Sequence, residues 1–205
     1  EQQVLLTPYS TKITTAALDY NSSATLNVTH QIENRSSRLV NIIVADSLSY
    51  TVTSDIVLTK SSALTLVPGE KQLLNYQLSV PNAKLWSPDT PNLYCLTTTI
   101  ENLTTKNKST YKKNVGIRTI KFNPETGFYI NGINEKIKGI CLHEDAGCFG
   151  TAVPEQVWRR RLHQLKSAGV NAIRMSHNPH SPLLYDLCDQ LGFFVFDEAF
   201  DEWEN

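Results

Sequence analysis

The chain has 205 residues, 40% of them hydrophobic and 19% charged, with 19 Lys and Arg set against 20 Asp and Glu. A net charge of -1 leaves no electrostatic footprint for nucleic acid or an anionic membrane surface. No apolar run approaches the roughly 18 residues that a membrane span needs.

The N-terminal Glu1-Gln2-Gln3-Val4 has no basic stretch followed by an apolar one, so no signal peptide is expected within the chain, and the compartment stays open. Up to about residue 120 the pattern has a two-residue period. Leu26, Val28 and Ile32 alternate with Asn27, Thr29 and Gln31; Leu74, Tyr76, Leu78 and Val80 alternate with polar neighbours, as do Tyr94, Leu96, Thr98 and Ile100. Side chains on a strand point to opposite faces in turn, so this period predicts strands with one face in a core and one in water. Val67-Pro68-Gly69-Glu70 and Ser87-Pro88-Asp89-Thr90-Pro91-Asn92 read as turns between them. Short strands at this spacing predict an antiparallel sandwich of immunoglobulin type. Cys95 is alone in this half, so no inter-sheet disulfide is available and the sandwich is expected to rest on its apolar core.

Beyond residue 135 strands and helices alternate. Lys136 to Leu142 is a predicted strand. Pro154 suits the first position of a helix whose Trp158, Leu162 and Leu165 share one face, with Gly169 placed to stop it. Val170 to Met175 is a second strand. Ser181-Pro182 starts a second helix with Leu184, Leu187, Cys188 and Leu191 on one side and Gly192 at its end. Phe193 to Phe196 is a third strand, apolar at every residue, as a strand covered on both faces would be. This order implies a parallel sheet. Cys141, Cys148 and Cys188 join Cys95 without a CxxC pair, and all four are read as free, mostly packing residues. The sequons at Asn21, Asn27, Asn34, Asn102 and Asn107 bear on function only in a eukaryotic secreted protein.

Each later strand ends in polar residues: Gly139-Ile140-Cys141-Leu142-His143-Glu144-Asp145, then Asn171-Ala172-Ile173-Arg174-Met175-Ser176-His177-Asn178-Pro179, then Asp197-Glu198-Ala199. Together these resemble the opening of the catalytic barrel in glycoside hydrolase family 2, the β-galactosidase, β-glucuronidase and β-mannosidase family, whose signature usually has Tyr at the place of Asn178. Leu85-Trp86-Ser87-Pro88-Asp89-Thr90-Pro91-Asn92-Leu93-Tyr94 and Val115-Gly116-Ile117-Arg118 resemble the end of that family's central sandwich. The resemblance implies an immunoglobulin-like β-sandwich at 1–120, then the first three β/α units of a (β/α)8 barrel at 121–205, an incomplete barrel. It implies a fragment of a retaining, exo-acting β-glycosidase acting on terminal β-D-galactosides, with the rest of the parent chain as its partner. A β-glucuronidase parent, a non-catalytic glycan-binding or spacer module, and a homo-oligomer stay open.

By motif position, the resemblance makes His143 and His177 sugar contacts; the bland reading is two histidines hydrogen-bonded in a barrel mouth. It makes Arg174 an orienter of carboxylates, with a structural ion pair to Asp197 as the compatible alternative, and places Asp197 at the mouth. No residue here is assigned a bond-breaking role. Neighbouring strand residues face opposite ways, so Asp197 and Glu198 do not form the pair of carboxylates roughly 5–5.5 Å apart that retaining enzymes need. The family's pair lies on later strands, the first in an Asn-Glu motif, and Asn134-Glu135 sits in an expected turn before the first strand. No metal site is assigned. Cys141, His143 and Cys148 lack closed zinc-site spacing, and Glu202 matches a Mg2+ ligand of some relatives whose His partner is replaced here by Glu204. No cofactor is therefore expected of the chain, with Mg2+ left open for the full-length parent.

Overall fold

The computed structural model describes residues 3–19 and 23–200; Asn21, Asp201, Glu202 and Glu204 lie outside them. The chain forms two compact units. One takes the chain up to Lys84 together with Leu93–Ile117; the other takes Leu85–Asn92 and the chain from Arg118 onward. Leu85–Asn92, expected with the sandwich, thus groups with the later unit. No described helix is long and apolar enough to cross a membrane.

The first unit is built from β1 (Val4–Leu6), β2 (Lys12–Asp19), β3 (Ser23–Asn34), β4 (Val40–Tyr50), β5 (Ile56–Leu66), β6 (Lys71–Pro81), β7 (Tyr94–Asn102) and β8 (Lys108–Val115). In one sheet β3 pairs with β6 along one edge and with β1 and β2 along the other; the second sheet runs β5-β4-β7-β8. Every pairing is antiparallel. The two-residue period decides what lies between the sheets. Leu26, Val28 and Ile32 of β3 are buried, as are Ile42, Val44 and Leu48 of β4 and Leu96 and Ile100 of β7. Burying each such side chain contributes roughly 1.5–3 kcal/mol. Asn34 and Asn102 are also buried. Asn34 Nδ2 donates to the Arg38 and Leu66 carbonyls at 2.8 and 3.1 Å, and Asn102 Oδ1 accepts from the Thr104 and Thr105 amides, so both hold turns. Asn27 and Asn107 are exposed.

The core is not wholly apolar, contrary to the sequence expectation. His30 follows Leu26 and Val28 in phase and is fully buried, with Asp46 and Thr98 buried beside it. Asp46 accepts from His30 Nε2 at 3.2 Å, from Thr98 Oγ1 at 2.5 Å and from the Tyr76 hydroxyl. Nδ1 of His30 lies 3.0 Å from Thr11 Oγ1. Residues of β3 and β6 in one sheet therefore converge on residues of β4 and β7 in the other. Burial pushes the Asp46 carboxyl up, but its hydrogen bonds from His30, Thr98 and Tyr76 outweigh that and hold it below the ordinary value. Burial and the adjacent carboxylate both raise the Tyr76 hydroxyl.

The second unit contains a small antiparallel sheet, β9 (Ile120–Asn123), β10 (Gly127–Ile130) and β11 (Ile133–Asn134), which sequence reading did not foresee. Asn131 and Gly132 both take positive φ in its two-residue turn, the conformation that an Asn-Gly pair adopts readily. Asn134, expected in a turn, is in β11. Then come β12 (Gly139–Leu142), α1 (Glu155–Ser167), β13 (Ala172–Met175), α2 (Pro182–Leu191) and β14 (Phe194–Asp197). The three strands are parallel in the order β12-β13-β14. Pro154 caps α1 from outside rather than opening its first turn. Pro182 does open α2, and Gly192 ends it at φ 74°. Leu142, Ile173 and Met175 pack with Trp158 and Leu162 of α1 and Leu184, Leu187 and Cys188 of α2.

Leu85–Asn92 is fixed to this unit through Trp86, which is 2% exposed. Its Nε1 donates to the Asp189 carbonyl at 2.8 Å, its carbonyl accepts from Asn131 Nδ2 at 3.0 Å, and its ring meets Phe194 edge-on. Lys166 Nζ donates to the Pro88 and Gly192 carbonyls at 2.8 and 2.7 Å. A Cβ at Gly192 would lie 2.2 Å from the Pro88 carbonyl oxygen, so glycine is required there.

The buried polar group yields a stability prediction. Asp46→Asn leaves donors facing one another, and urea unfolding should show a loss of about 2–4 kcal/mol. Because the folded carboxyl titrates below its ordinary 3.8, its contribution is present above that value and lost as pH falls through the folded value. The variant should flatten that acid limb. An unchanged midpoint and acid limb would show that apolar packing alone carries the sandwich.

Candidate functional site

The three parallel strands are held in a register that aligns Cys141 with Arg174 and Phe196, and Leu142 with Met175 and Asp197. The second row belongs to the face packed under the helices. The first row lies on the opposite face, where Cys141 is exposed and Phe196 is 69% exposed. Residues two positions beyond the first row rejoin that face, and this brings His143 and Glu198 to it.

Glu198 is the centre of the arrangement. Its Oε1 accepts from Arg174 Nε at 2.5 Å and from Arg174 Nη2. Its Oε2 lies 3.1 Å from His177 Nδ1. The His177 ring meets the His143 ring edge-to-face with centroids 5.4 Å apart. Arg174 Nη1 is 3.6 Å from Cys141 Sγ. The base of β13 is pinned by the buried Asn171, whose side chain accepts from the Lys138 amide at 2.7 Å and donates to Glu135 and the Lys136 carbonyl. The Ser176–His177 peptide, between Arg174 and the imidazole, is cis.

His143, Arg174 and His177 are therefore brought together as expected from their strand-end positions. Asp197 is not with them. It sits in the helix-side row, where its Oδ1 accepts from the Tyr185 hydroxyl at 2.7 Å. Tyr185 in turn accepts from the His180 amide at 3.0 Å. The expected ion pair of Arg174 with Asp197 is a correction: the partner is Glu198, because the pleat turns residue 197 away. Glu198 was readable from the sequence by counting in twos from Phe194, and Tyr185 carried no such signal. Glu144, at the end of the first strand, accepts from the Ser181 amide at 2.5 Å and so braces the start of α2.

Electrostatics limit what these groups can do. Burial pushes Glu198 up, but hydrogen bonds from Arg174 and His177 prevail and hold its carboxyl below the ordinary range. Arg174 is raised by its hydrogen bonds to Cys141 and Glu198. A carboxylate held ionised in this way is a poor proton donor to a departing oxygen, which calls for a raised carboxyl pKa. Burial and Asp197 push the Tyr185 hydroxyl up to about 12. The face can orient a ligand through two imidazoles over an ion-paired floor. Among the described residues no group of three His, Cys, Asp or Glu is placed to hold a metal ion.

Residues 9–118 match the sequence profile described as "Glycosyl hydrolases family 2", and residues 123–203 match "Glycosyl hydrolases family 2, TIM barrel domain". A β-galactosidase of Bacteroides ovatus is 40% identical over 195 residues, which is 95% of this chain and 23% of that protein. A putative β-glucuronidase of Formosa agariphila is 44% identical over 130 residues, 62% of this chain and 12% of that protein. The crystal structure of a glycosyl hydrolase family 2 member from Bacteroides cellulosilyticus superposes with a TM-score of 0.90 at 33% identity, over 98% of this chain and 26% of that one. The chain thus spans about a quarter or less of the length of these relatives.

The cysteines test the two faces of the sheet. They are free, but only Cys188 is buried, and burial pushes its thiol up to about 12. Cys141 and Cys148 are exposed, against the expectation that these residues mostly pack. Brief alkylation of the native chain, read by peptide mass mapping, should label Cys141 and Cys148 and spare Cys188 until urea is added. Equal labelling of Cys188 would mean that the helices do not cover that face.

Proposed function

The chain belongs to glycosyl hydrolases family 2, and from that membership we propose that it is part of a retaining, exo-acting β-glycosidase that hydrolyses terminal β-D-galactosides. In this reading the strands β12, β13 and β14 with α1 and α2 are the first three β/α units of the (β/α)8 barrel. Sites on such barrels form at the C-terminal ends of the strands, and His143, Arg174, His177 and Glu198 stand at those ends.

The observation that carries the proposal is the imidazole pair over the Arg174–Glu198 floor. A pyranoside presents several hydroxyls that both donate and accept, and imidazole nitrogens can pair with such groups. Glycosidic cleavage also needs an acid to protonate the leaving oxygen and a carboxylate to trap the anomeric carbon, roughly 5–5.5 Å apart. In this reading neither acid at the end of β14 belongs to that pair: Glu198 is committed to Arg174 and His177, and Asp197 faces the helices. The proposed division of labour has this chain position the sugar while later barrel strands make and break bonds.

A β-glucuronidase is the second reading, favoured by the relative from Formosa. A glucuronate carboxylate calls for a cation at the site. Arg174 is already paired with Glu198, and the β-galactosidase relative matches 95% of this chain against 62% for the Formosa protein; these favour the galactoside.

Aryl β-galactoside and aryl β-glucuronide should be assayed with this chain and with the full-length gene product. The chain alone should give no turnover above background, since general acid assistance by itself is worth about 10²–10⁴ in rate. The full-length protein should cleave the galactoside in preference. Turnover by the chain would show that its own carboxylates are catalytic, and preference for the glucuronide would reverse the substrate assignment.

A further inference from the structure

The two oxygens of Glu198 are used differently. Oε1 is occupied by Arg174, which supplies donors only, while Oε2 faces Nδ1 of His177 at 3.1 Å. An ionised carboxylate only accepts, so this contact places a proton on Nδ1. In the neutral imidazole Nε2 then carries the free lone pair. The His177 side chain is still 40% exposed, and its ring is steadied from the side by His143.

We infer that Glu198 is a positioning residue: it fixes His177 in the Nδ1–H form so that Nε2 receives a hydrogen bond from a substrate hydroxyl. The inference rests on the reading of this face as a sugar site, and it sharpens the substrate class. A hydroxyl can donate to Nε2, whereas an ionised carboxylate cannot. The sugar position facing His177 is therefore a neutral hydroxyl or hydroxymethyl group. Arg174 binds the other oxygen, Oε1, so it does not compete for Oε2 and the proton on Nδ1 does not depend on it. The carboxyl of Glu198 is kept ionised by the same contacts, so its acceptor role persists at neutral pH.

Two variants separate this role from that of a simple ion pair. Glu198→Gln replaces an acceptor-only group with one that can also donate; Arg174→Gln removes the cation but leaves the carboxylate. The chain labelled with 15N-histidine should show His177, identified by its loss in His177→Ala, with the proton on Nδ1. Glu198→Gln should abolish that pattern in favour of Nε2–H or a mixture, and Arg174→Gln should keep it. In the full-length protein Glu198→Gln should lower kcat/KM for an aryl β-galactoside by about 10–100-fold, the range that losing the orienting partner of a metal-ligating histidine gives. An unaltered tautomer in Glu198→Gln, or an equal change in Arg174→Gln, would overturn the inference. So would a switched tautomer with unaltered kinetics, which would mean that Nε2 meets no substrate. Failure of the wild-type full-length protein to cleave any glycoside would overturn the sugar-site reading instead, while the tautomer spectra would still decide what Glu198 does.

Discussion

The register of three short parallel strands is the constraint on which the candidate site depends. Four paired positions on each strand, Gly139–Leu142 against Ala172–Met175 against Phe194–Asp197, alternate strictly between two faces. One row goes to the helices and is apolar until its last member. The other stays open and ends in chemistry. A slip of one residue would exchange Arg174 for Met175 and Glu198 for Asp197, and it would bury a guanidinium beneath α1 and α2. The apolar demand of the helix side therefore sets the polar arrangement of the open side. Neither row can be tuned alone.

Each unit also departs from an apolar core in its own way. In the sandwich an aspartate is buried among three donors drawn from both sheets. Burying a charge is unfavourable unless it is hydrogen-bonded, and here His30, Thr98 and Tyr76 all donate to Asp46 and hold its carboxyl below the ordinary value. In the later unit a backbone-to-backbone approach at Gly192 and Pro88 brings Leu85–Asn92 close enough for Lys166 to bridge two carbonyls. Trp86 fills the same place with a ring and a donor, and Arg118 lies over its face at 5.0 Å. These are devices of position, which fix where backbone segments lie.

Periodicity in the sequence revealed the strands and helices whose apolar residues repeat cleanly, such as β3, β7, α1 and α2. It missed β9 to β11, because four-residue strands are too short for a period to emerge. The Asn131-Gly132 turn was the available signal. The polar core was overlooked for a related reason: His30 occupies an inward phase of β3, but a lone histidine in an apolar series has no partner visible along the chain. Asp46, Tyr76 and Thr98 lie 16, 46 and 68 positions away in sequence and meet it only through sheet pairing. At the site, His143, Arg174 and His177 were legible because each follows an apolar strand. The choice of Asp197 over Glu198 was not settled by pattern, since both are acidic and adjacent. Only the face of the strand distinguishes them.

We propose that this open face holds a sugar and that Glu198 orients rather than reacts. The most direct measurement is a crystal structure of the full-length protein with galactose bound. Imidazole nitrogens of both His143 and His177 should lie within about 3.2 Å of sugar oxygens, with Glu198 still bonded to Arg174 and His177 and out of contact with the anomeric carbon. Galactose seated with neither histidine touching it, or with Glu198 against the anomeric carbon, would rule out this role for the open face.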